Sequence, residues 1–217
     1  STGESFNENL TTQVYTQDSG IREPNLITDY DNDSQNYLQE IGLTQEQFKN
    51  QMQNDFEEMA LSVAKNGGFY IGRYETSMND ATASSVSASG TSQIVASKGG
   101  VMPVSAEYKS QRWYGLYDKE RSYAEDVGIS SAVKSSMIWG SQYDAMLNWA
   151  LQGNDSDNVK KLNSTKQELK PTASNPTDVI NNIYDLGNNS LEWTLEASDD
   201  DLRVFRGSAY MRERLFS

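Results

Sequence analysis

The polar and apolar positions divide the chain into a long polar start, one strong amphipathic helix, and a second half of short apolar runs broken by Gly, Asn and Pro. Residues 1–43 are rich in Asn, Gln, Asp and Thr and carry too few apolar positions to build a core. They predict an N-terminal arm lying on a domain that spans 44–217. Phe48, Met52, Phe56, Met59 and Val63 then recur at four- and three-residue spacing, which predicts a helix of about 22 residues with one buried face. Thr44 with Gln47 makes a capping box at its start, and Gly67 and Gly68 stand where a left-handed cap ends a helix.

Beyond that helix the period changes. Phe69 to Glu75 is aromatic and β-branched behind a turn signal and predicts a strand. Residues 77–100, dominated by Ser, Ala, Thr and Gly, predict a surface loop or hairpin with a short strand at Gln93–Ala96. Trp113, Leu116, Tyr117, Glu120, Ala124 and Val127 space as a second helix stopped by Gly128. Ser141 caps a third, with Tyr143, Leu147, Ala150 and Leu151 inward and Gly153 at its end. Residues 153–180 are polar, contain Pro171 and Pro176, and predict a long ordered loop of the kind that carries function or holds an ion.

Composition narrows the chemistry. The 217 residues carry a net charge of −13, which argues against nucleic acid or an anionic membrane surface as partner. No apolar run approaches the ~20 residues needed to span a bilayer. The chain has no cysteine and no histidine. Thiol nucleophiles, thiolate metal sites and the usual neutral-pH general base are thereby excluded. Asp29, Asp31, Asp33 and Glu40 have the spacing of a calcium-binding EF-hand loop. Ser34 replaces the glycine that the sharp turn needs, Asn36 the usual aliphatic residue, and Pro24 and Gly42 interrupt the flanking helices. A solvated acidic turn is the better reading.

The segment from Asn181 to Tyr210 concentrates the remaining signals. Gly187, Asn188 and Asn189 tolerate positive φ and predict a tight turn. It can gather oxygens of Asp185, Asn189 and Glu192, either as a polar hairpin without an ion or as a site for a hard cation.

In this segment Tyr184, Asp185, Asn189, Glu192, Trp193, Thr194, Arg203, Val204, Arg206, Gly207 and Tyr210 resemble the signature of the formylglycine-generating-enzyme-like (sulfatase-modifying factor) domain, a branch of the C-type-lectin fold. Gly67–Thr76 and Ser135–Trp149 resemble further stretches of its bacterial and phage relatives, so the resemblance covers about residues 56–217. It implies an α+β, C-type-lectin-like fold with short twisted antiparallel strands, two to three helices and long ordered loops. It also implies a further loop and a final strand beyond Ser217. Ser208 stands where the signature has a second glycine.

The oxidases of this family hold copper on two cysteines. The equivalent positions here are Arg212 and Ser217, neither a copper(I) ligand, so oxidase chemistry and a redox metal are not expected, and the chain is read as a non-enzyme. The phage and bacterial relatives include non-catalytic display proteins whose C-terminal residues are diversified by retroelements. By that likeness the ligand-binding residues are Ser208, Tyr210, Met211, Arg212, Arg214 and Phe216, of types enriched at protein interfaces. The expected partner is a protein or glycan receptor on a cell surface, and the expected location extracellular, on a cell surface or on a virion. The resemblance also implies structural calcium on Asp185, Asn188, Asn189, Ser190 and Glu192. Two alternatives stay open: a carboxylate-based enzyme acting on sugars, and a purely structural virion or pilus subunit.

Overall fold

A computed structural model describes residues 38–39, 42–78, 95–103, 111–152, 157–158, 161, 169–197 and 203–207. The described part is mixed α+β. Helices α1 (Gln45–Asn66), α2 (Gln111–Asp126) and α3 (Gly140–Ala150) accompany six short strands: β1 (Thr76–Met78), β2 (Val95–Ser97), β3 (Val179–Ile180), β4 (Ile183–Tyr184), β5 (Glu192–Ala197) and β6 (Arg203–Arg206). The strands pair two by two, as β1–β2, β3–β4 and β5–β6. The first two pairs are antiparallel, with Ser77 opposite Ala96 and Ile180 opposite Ile183.

The chain divides into two units. The first takes in Ser1–Ile71, Ile138–Ser141 and Thr194–Val204. Its chief element is α1, which starts and stops as its caps dictate. The Thr44 hydroxyl accepts from the Gln47 amide at 3.2 Å, and the Gln47 side chain accepts from the Thr44 amide at 2.8 Å. At the far end Gly67 adopts φ 79° and its amide donates to the Val63 carbonyl. That conformation costs an L-residue with a side chain ~1–2 kcal/mol and costs glycine nothing comparable. Phe48, Met52, Phe56 and Ala60 are buried along one face, and Trp139 meets Phe56 edge-on at 5.1 Å between ring centroids. Leu195 is fully buried in the same unit, and its amide donates to the Ile138 carbonyl. Leu38 is buried too, within the part of the chain read as an arm.

The second unit takes in Gly72–Met137, Gln142–Trp193 and Phe205–Ser217. Its apolar centre includes Trp113, Tyr117, Met137, Tyr143, Met146, Ile180 and Leu186. The Trp113 and Tyr117 rings stack one helical turn apart on α2, at 5.5 Å. Gly128 (φ 72°) ends that helix as the sequence predicts, with the Ile129 amide returning to the Ala124 carbonyl.

Three sequence expectations shift. The strand expected at Phe69–Glu75 is irregular, with a bend at 73–74, and β1 begins only at Thr76. Tyr70 stands fully exposed between Gly68 and Gly72 and joins no strand among the described residues. Helix α3 starts at Gly140, placing Ser141 inside it rather than at its cap. Val127, expected on the inner face of α2, lies past its last turn and is exposed. Short β2 overlaps the strand expected at Gln93–Ala96. Asp29, Asp31, Asp33 and Glu40 of the acidic turn, and the end of α3 at Gly153, lie outside the described residues.

Candidate functional site

The site is assembled around residues 185–190 in the second unit. The loop is built from left-handed backbone: Asn181 (φ 50°), Asn182 (φ 68°), Asp185 (φ 59°) and Asn189 (φ 76°) all have positive φ. Asn and Asp tolerate that region because their short side chains can bond to nearby backbone. Gly187, named from sequence as a turn former, is buried but is not among the left-handed residues.

Asn189 organises the loop. Its amide oxygen accepts from the Lys170 backbone amide at 2.8 Å, while its amide nitrogen donates to the Lys170 carbonyl at 3.0 Å and to the Glu75 carboxylate at 2.6 Å. The other oxygen of Glu75 accepts from the Ser190 amide at 2.9 Å. One buried carboxylate therefore ties two consecutive loop residues to the segment before β1. Asp185 does the same toward residues 171–174, accepting from the Ala173 amide at 2.7 Å. The Asn188 side chain donates to Asp178, whose carbonyl accepts from the Asp185 amide. Thr172, wholly buried, completes the frame by donating to the Lys98 carbonyl at 2.7 Å. Buried polar groups cost free energy when left unpaired, so this reciprocal bonding is what allows Glu75, Thr172, Asp178, Asp185, Asn188 and Asn189 to be buried together.

The network brings like charges together. Burial, reinforced by the Glu192 and Asp185 charges, pushes the Glu75 carboxyl up to about 9 despite the two bonds it accepts. Glu192 is only half-buried by exposed area, yet loss of solvent around its carboxyl, with the Glu120 and Asp185 charges adding to it, raises it to about 7. Glu120, on α2, rises to about 7 through burial, with its bond from the Thr76 hydroxyl at 2.8 Å pulling the other way.

Strand β5 leads out of this loop and pairs with β6. The Trp193 and Phe205 rings stack at 3.6 Å between centroids. Trp193 is half-buried. Arg206 lies over the Tyr143 ring at 5.7 Å and pairs with Asp144 at 3.5 Å. Gly207 has φ 82°, and a Cβ there would meet the Ser190 and Leu186 carbonyls at 3.6 and 3.7 Å. Backbone conformation, not space, is what calls for glycine at this position.

The residues expected to hold calcium are thus brought into one loop, but several of their groups already have partners. The Asn189 amide oxygen and one Asp185 carboxylate oxygen each accept from a backbone amide, whereas Asn188 bonds to Asp178 through its amide nitrogen. A cation here would draw on the Glu192 carboxylate, the Asn188 amide oxygen and loop carbonyls or displace those bonds. Among the described residues no group of three or more acidic side chains is placed to hold a metal ion. The expected ligand-binding residues Ser208, Tyr210, Met211, Arg212, Arg214 and Phe216 lie outside the described residues, as does Ser217. Sequence reasoning missed Glu75, which read as the end of a strand, and also Thr172 and Asp178. The only hint for Glu75 was a lone acid closing an aromatic run.

Comparison with protein-family models, curated proteins and solved structures gave no match.

Proposed function

We propose that the chain is a non-catalytic ligand-binding module of the C-type-lectin type, displayed on a cell surface or virion, that grips a protein or glycan receptor through residues after Gly207. The observation that supports this reading is the fate of the polar side chains in the 185–190 loop. Asp185, Asn189 and Glu75 bond to backbone groups of Ala173, Lys170 and Ser190 and so hold these segments together. Such a frame suits a rigid scaffold for a contact surface. The contact chemistry then falls to Ser208, Tyr210, Met211, Arg212, Arg214 and Phe216, whose aromatic and guanidinium groups are the usual anchors of recognition. The test is binding of the purified chain to surface extracts of candidate host cells, before and after combined Tyr210→Ala and Arg212→Ala. The double variant is expected to lose at least tenfold in affinity while keeping its melting temperature. Unchanged affinity removes the proposal.

A second reading, a carboxylate-based hydrolase of glycans, is favoured by one observation: Glu75, Glu120 and Glu192 are acids with raised pKa values acting within one cluster. Turnover of oligosaccharides that disappears in Glu192→Gln would establish it in place of the first.

A further inference from the structure

We draw no further inference here: the strongest candidate, the cluster of Glu75, Glu120, Asp185 and Glu192 against the 185–190 loop, belongs to the site already described and nothing among the described residues shows what ligand it would take.

Discussion

Asn189 is the residue on which the loop frame depends most, and its replacement gives a measurable number. Asn189→Gly keeps the left-handed backbone at φ 76° without steric cost, so what it removes is the side-chain bonding. Three hydrogen bonds go: one accepted from the Lys170 amide, one donated to the Lys170 carbonyl and one donated to Glu75. At roughly 0.5–1.5 kcal/mol net for each, the loss is about 1.5–4.5 kcal/mol, and the upper half of that range is expected because Glu75 is left buried with one donor fewer. Asn189→Ala adds the strain of a left-handed alanine, ~1 kcal/mol or somewhat more, offset in part by the lower unfolded-state entropy of alanine. Equilibrium urea unfolding followed by tryptophan fluorescence measures both variants, with an unchanged m-value showing that only stability moved. Hydrogen exchange at the Lys170 amide supplies a local readout, since that amide loses its acceptor. A loss below ~1 kcal/mol for Asn189→Gly, with Lys170 exchange unaltered, refutes the argument that this side chain holds the loop.

Three further outcomes are expected. Glu75, Glu120 and Glu192 all have folded pKa values raised above 4.5, to about 9, 7 and 7, so the folded chain retains protons that the unfolded chain releases. Their contribution is whole below about pH 4.5 and is lost as pH rises through about 7 and then about 9; a melting temperature that holds or climbs from pH 5 to pH 9 contradicts the raised carboxyls. Gly99→Ala would place a Cβ 3.0 Å from the Tyr74 ring, which stacks on Tyr184 at 5.3 Å, and should cost ~1–3 kcal/mol in thermal or urea unfolding. A loop that takes calcium should melt higher in millimolar calcium than in chelator, through binding to the folded state alone; identical melting curves remove calcium from the proposal.

Local chemistry was enough to write α1 from the sequence. Its period, capping box and terminal glycine each act within a few residues, so no distant contact was needed to locate it. Gly128 ends α2 for the same reason, and the mixed α+β character follows from the change of period after Gly68. The loop at 185–190 was legible as a place rich in left-handed formers, since Asn and Asp announce that tendency wherever they stand. Which of them adopt positive φ was decided by what lies across from them. Asn189 does so while bonded to Lys170 and Glu75, whereas Gly187, freer in principle, does not. Glu75 shows the limit most clearly. Nothing in its neighbourhood in the chain marks it as a buried acid, because its partners Asn189 and Ser190 are more than a hundred residues away. Tyr70 shows the converse. Its strand-like neighbourhood meets β4 at one backbone bond, from the Tyr184 amide to the Arg73 carbonyl, and no ladder forms among the described residues; pairing between strands, unlike helix capping, is settled only when the tertiary fold brings a second backbone alongside.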